Sequence, residues 1–205
     1  AIYGEAGRYV SRKRLVQMMA HEYKLLDERL SAARGADSTF FAFSNTVSAL
    51  NYSKTNECHG WMGIRFQIFP QSPFHDIILH VRMLDTDNKL QQEAIGILGV
   101  NLAYGAMHLS KNPDTFIRSL TDGLGNKRIE VDMIEFNGPS FESVDNRILC
   151  LKLTETGLTH AVMFNESGHV VQPSENLYKK ACLIERGSFR PLTKNFNGFF
   201  FTVFL

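Results

Sequence analysis

Asn56-Glu57-Cys58-His59-Gly60-Trp61 is the densest run of reactive residue types in the chain. A cysteine and a histidine can act as nucleophile and base, or as two metal ligands. Neighbouring residues on a strand point to opposite faces, so Cys58 and His59 are poorly placed to serve one substrate or one ion, and no third ligand is identifiable in the sequence. The run therefore reads first as a structural turn, then as a ligand-binding corner, and last as catalysis; no metal is expected there.

Asp85-Thr86-Asp87 falls where a strand should hand over to a helix. Two carboxylates at such a junction can hold a divalent cation with a phosphate substrate. They can equally cap the helix and complement its dipole, which requires nothing else. Asn137-Gly138-Pro139-Ser140 follows a strand and precedes a helix, where α/β folds tend to bind ligands. Its N–H groups and Ser140 can meet an anion, although the run is neither a G-x-x-x-x-G-K-[ST] loop nor G-x-G-x-x-G, and Glu142 opposes phosphate. Glu185 to Pro191 contributes Arg186 and Arg190 around Gly187, an anion clamp or a surface turn. The candidate ligand-binding set is thus Asp85, Asp87, Ser140 and Arg186, with no catalytic residue assigned and no cofactor implied.

The elements that must position these residues follow from periodicity. Ser11 to Arg34 is predicted helical, with Leu15, Met18, Met19, Leu25, Leu26 and Leu30 as its apolar stripe. Arg12, Lys13 and Arg14 sit in its first turn, against the helix dipole; they form a solvated face or a contact to an acidic partner. Thr39 to Val47 reads as a strand. Gly60–Phe69 and Asp76–Leu84 read as an antiparallel hairpin around Pro70-Gln71-Ser72-Pro73. A buried helix starts near Leu90; Gly96, Gly99, Ala103 and Ala106 form a face that another backbone can approach closely. Asn112-Pro113 opens a shorter helix.

Lys127 to Phe164 reads as strand, helix and strand, a βαβ unit. Its helix is capped by Ser143 or Asp145, carries Val144, Ile148 and Leu151 widened by Leu149 and Leu153, and stops at Gly157. Ala161 to Phe164 is expected to be a buried parallel strand. His169 to Gln172 suggests a hairpin strand, Ser174 to Lys180 one or two helical turns, and Cys182 to Glu185 a further strand. The expected fold is a single α/β (α+β-like) domain over 1–205. Its mixed sheet carries helices mainly on one face, with a possible N-terminal helical extension, 1–35.

One consequence is sharper. Arg65, Gln67, His80 and Arg82 share the polar face of the hairpin, and Glu130 and Asp132 that of the following strand, where Met133-Ile134 breaks the alternation, as a bulge or a change of surroundings does. If the apolar faces serve one core, the polar faces coincide, with at least one Arg–carboxylate pair between neighbouring strands.

Composition sets the outer bounds. The 205 residues are 44% hydrophobic and 21% charged with a formal net charge of +1, enough for one sizeable core and without the basic field that nucleic acid attracts. No apolar run reaches the ~20 residues of a membrane span. Cys58, Cys150 and Cys182 are odd in number and unpaired by motif, as expected of thiols in a reducing compartment. There is no signal peptide and no initiator Met, from which processing or a fragment is expected; the place is the cytoplasm, or an organelle interior if the missing Met reflects processing. Phe199 to Leu205 is dense in phenylalanine and is expected to be buried, as a last strand or in a partner.

At Asn56–Gln67, Leu90–Ala106, Arg128–Arg147 and Tyr178–Arg190 the sequence resembles long bacterial proteins, some of which are labelled nicotinate-nucleotide adenylyltransferase. Such transferases hold nucleotide phosphates with an H-x-G-H motif. Here His59-Gly60 is followed by Trp61, so no catalytic residue carries over. The sequence favours a non-enzymatic structural or assembly subunit with protein partners. The alternative is an enzyme or binding protein for a phosphorylated or nucleotide ligand.

Overall fold

Alternation at period two builds the centre of the molecule. In the computed structural model, which describes residues 10–34, 37–125, 127–177 and 180–181, four strands form one antiparallel sheet in sequence order: β1 (Phe41–Ser48), β2 (His59–Gln67), β3 (Phe74–Met83) and β4 (Ile129–Asn137). Met62, Ile64 and Phe66 of β2, Ile77, Leu79 and Val81 of β3, and Ile129, Val131, Ile134 and Phe136 of β4 point to one side and are buried there. α2 (Asn88–His108), α3 (Pro113–Ser119) and α4 (Asn146–Glu155) cover that side. α1 (Arg12–Arg34) lies on the other side, where Leu15 and Met19 pack on Trp61 and Ile78. Gly63 permits the close approach of α1 to β2, since a Cβ there would stand 2.7 Å from the Met19 sulfur. The class is therefore α+β, with helices mainly on one face.

The parallel crossover expected over 127–164 does not form. Its strand, helix and second strand are present in order, but β5 (Met163–Phe164) pairs with β6 (Val170–Val171) and not with β4, so the four-stranded sheet is antiparallel, not mixed. Gly157 ends the helical turn, and the Leu158 carbonyl, reached immediately afterwards, accepts from the Val131 N–H at the margin of β4. That contact uses the edge a parallel strand would have needed. In α4 the buried residues are Leu149, Cys150 and Leu153, while Ile148 and Leu151 are half exposed. The helix thus buries the flank of the expected stripe, and Asp145 caps it, accepting from the Arg147 N–H at 2.9 Å.

α2 is not the fully buried helix its sequence suggests. Leu98, Leu102 and Ala106 are buried, but Val100, Tyr104 and Met107 are exposed. The chain divides into two compact units, 1–170 and 171–205; in the second, Pro173–Asn176 forms a single helical turn. Cys182 to Glu185, Arg186, Arg190 and Phe199 to Leu205 lie outside the described residues.

Candidate functional site

Two regions of the sheet have the geometry to do something: its polar face and its free edge. On the polar face the arginines, histidine and acids of β2, β3 and β4 do lie together. Arg82 reaches Glu130 at 3.0 Å and also Glu57 at 2.7 Å. Arg65 pairs with its cross-strand neighbour Asp76 through two bonds of 2.7 Å, and both side chains are about 90% removed from water. The same guanidinium lies 4.0 Å over the ring of Phe74. Arg12 of α1 donates to Glu135 of β4 at 2.6 Å, so the basic first turn of α1 meets an acidic partner within the chain itself.

The most chemically suggestive group is a chain of three. Asp132 is the extra residue of a bulge opposite His80 and Val81, and its carboxylate lies 2.6 Å from His80 Nδ1. His80 Nε2 is 3.1 Å from His59 Nδ1. With His80 Nδ1–H donating to Asp132, Nε2 is left as the acceptor and His59 Nδ1–H as the donor of the second bond. General-base chemistry needs a substrate cavity at the far end. Two surface cavities among the described residues, one between β1 and α2 and one around Arg12, Asn146 and Arg147, are lined by other residues. His80 is 3% exposed and lies edge-on to Trp61, with ring centroids 4.8 Å apart. The chain of three ties β2, β3 and β4 together under cover. Cys58, in contrast, is buried on the opposite face with the main core, so it and His59 are separated as strand geometry requires.

Of the expected ligand-binding residues that are described, Asp85 and Asp87 lie at one end of β3 and Ser140 at the other. Asp87 caps α2, accepting from the N–H groups of Lys89 at 2.8 Å and Leu90 at 3.2 Å. Asp85 holds Arg128 at 2.9 Å. Ser140 lies at the other end of β3, where its N–H donates to His75 Nε2 at 3.1 Å; burial keeps His75 below its ordinary pKa, in the neutral form that can accept. The ten residues from His75 to Asp85 span roughly 30 Å of extended chain. Cys150 is likewise inert: burial raises its thiol to about 11, and it donates to the Ile134 carbonyl at 3.3 Å.

The two edges of the sheet differ sharply. On β4 several of the outward-facing backbone groups are closed off. Val131 N–H bonds to Leu158 O, Ile134 exchanges bonds with the Cys150 sulfur, and the Asn146 side chain donates to Phe136 O and accepts from its N–H. β4 is also charged and bulged. β1 has none of these protections. Its sequence, FAFSNTVS, holds no charge and no proline, and it pairs with β2 over all eight residues without a register shift. Gln67 N–H bonds to Phe40 O. The antiparallel alternation that follows from this bond turns the N–H and C=O groups of Phe41, Phe43, Asn45 and Val47 away from β2. Among the described residues nothing pairs with them.

The side chains of these same four residues line a groove of about 540 Å³ between β1 and α2. Its far wall includes Gly96, Gly99, Val100 and Ala103, and no charged residue lines it. Val100 is 69% exposed. Gly99 rests on the Phe43 ring, whereas a Cβ added to Gly96 would meet nothing within 4 Å. The small-residue face of α2 thus borders open space at Gly96, while Ala106 lies in the core. Gly96→Ala is expected to stabilise the isolated chain by about 0.5–1 kcal/mol, the cost of an interior helical glycine, measurable as a raised urea midpoint.

No family model, no curated protein and no solved structure matches the chain.

Proposed function

We propose that the protein is a non-enzymatic structural or assembly subunit that takes an additional polypeptide strand along the free edge of β1. The observation that carries this reading is the coincidence of two features in Phe41, Phe43, Asn45 and Val47: outward backbone groups and side chains lining an uncharged groove. Edge strands are ordinarily blunted by charge, proline, bulges or a covering element, as β4 is here. An unguarded edge beside an apolar groove is what strand addition uses, with main-chain bonds supplying affinity and alternate side chains supplying specificity. The phosphate-ligand alternative has weaker support, since Asp85, Asp87 and Ser140 are occupied at opposite ends of β3.

Asn45→Pro tests the reading. Its N–H points outward, so proline there removes no internal bond and should leave the fold intact, while denying that donor to an incoming strand. The tagged chain is expected to be recovered in a complex of fixed stoichiometry, and the Asn45→Pro chain, equally stable in urea, alone. Equal complex formation by both chains, or a stoichiometric nucleotide in native mass spectra of the isolated protein, would count against it.

A further inference from the structure

We infer that the strand which completes the β1 edge is β1 of a second copy of this chain, joined antiparallel across a two-fold axis. This rests on the strand-addition reading and names its occupant. An antiparallel partner must satisfy three conditions set by the edge. It must be uncharged, because no ionised group lines the groove to answer a charge. It must present uncharged, mostly apolar residues at alternate positions towards α2, where the space beside Gly96 is open. It must be small on its other side, where Ala42 and Ser44 are already buried in the face on which α1 packs.

β1 meets all three conditions itself. Phe41, Phe43 and Val47 are its apolar positions on the groove side, Asn45 is uncharged, and Ala42, Ser44, Thr46 and Ser48 are the small residues opposite. β4, charged and already bonded along its margin, does not. One register uses all four outward residues. Phe41 then faces Val47 of the partner subunit, Phe43 faces Asn45 of the partner subunit, and the axis passes through Ser44. That register forms about eight new backbone bonds and turns two four-stranded sheets into one of twice the width. No like charges oppose one another, and a two-fold contact closes on itself without propagating into fibres.

The register makes a local demand. Two Ser44 residues at the axis form a pair whose Cα atoms are ~4.5 Å apart, within the span a disulfide bridges. Sedimentation of the full chain is expected to give twice the 23.2 kDa chain mass, and in a Cys182→Ser background Ser44→Cys is expected to cross-link under mild oxidation where the parent, with Cys58 and Cys150 buried, does not. Asn45→Pro should weaken the dimer roughly 100-fold, because symmetry removes the donor twice. A monomer at all concentrations, or a dimer that ignores Asn45→Pro and leaves Ser44→Cys unlinked, would overturn the inference. A synthetic Phe41–Ser48 peptide separates that failure from failure of the edge itself. Added to a monomeric chain, it slows amide exchange at Phe43 and Asn45 if the edge accepts strands, so that only the second copy is wrong; no slowing refutes both.

Discussion

Asp76→Ala is expected to destabilise the protein by about 3–5 kcal/mol. Asp76 and Arg65 are direct cross-strand partners, doubly hydrogen-bonded at 2.7 Å and each about 90% buried beneath α1. Removing the carboxylate does not return Arg65 to water. It leaves a buried guanidinium without its carboxylate, set over the face of Phe74. The loss would be a large part of the ~5–15 kcal/mol that holds a domain folded, and it should appear as a fall of roughly 10 °C in Tm at this chain length. The paired change Arg65→Met with Asp76→Leu is expected to recover most of it, because two buried charges are then replaced by apolar volume. A cost below about 1 kcal/mol for Asp76→Ala would mean that the pair is solvated.

Phe116→Ala is the second large effect, at about 3–5 kcal/mol. Phe116 is fully buried where α3 meets α2 and the sheet. Its ring stands edge-on to Phe136 of β4, centroids 5.2 Å apart, and presses on α2 at Gly105, where a Cβ would come within 2.8 Å of it. The ring therefore fills a site shaped on two sides, and its removal leaves a cavity the helices cannot close without moving. The same contact makes Gly105→Ala destabilising although Gly96→Ala on the same helix is stabilising, so the two glycines measured side by side separate packing from helix propensity. Urea titration gives all three values; a Phe116→Ala loss below about 1 kcal/mol would show that α3 is not docked.

What the sequence made legible was what alternates. Period two put Arg65, His80, Arg82, Glu130 and Asp132 on one face of one sheet, and they are there, with Arg82–Glu130 as a cross-strand pair. The pairings themselves depend on register, which no single strand specifies. Arg65 uses Asp76 of β3 instead of an acid of β4, and Asp132 reaches His80 only because a bulge displaces it. Ala161 to Phe164 misled because a short apolar run does not say which strand it will join; two of its residues pair, and with β6. Asp85 and Asp87 sit at the strand–helix junction as expected and serve as ion-pair partner and cap. The edge at β1 was the least legible feature. An uncharged strand of eight residues reads like the middle of a sheet, and only the topology shows that no other described strand lies beyond it.

Amide hydrogen exchange along β1 is the most direct measurement. In the dilute isolated chain the amides of Ala42, Ser44 and Thr46, which face β2, should be protected, while those of Phe41, Phe43, Asn45 and Val47 exchange near the free rate. In the native assembly that alternation should vanish, with all seven amides slow. If the four outward amides stay fast when the protein is assembled, no strand has been added at β1, and the proposed function is wrong.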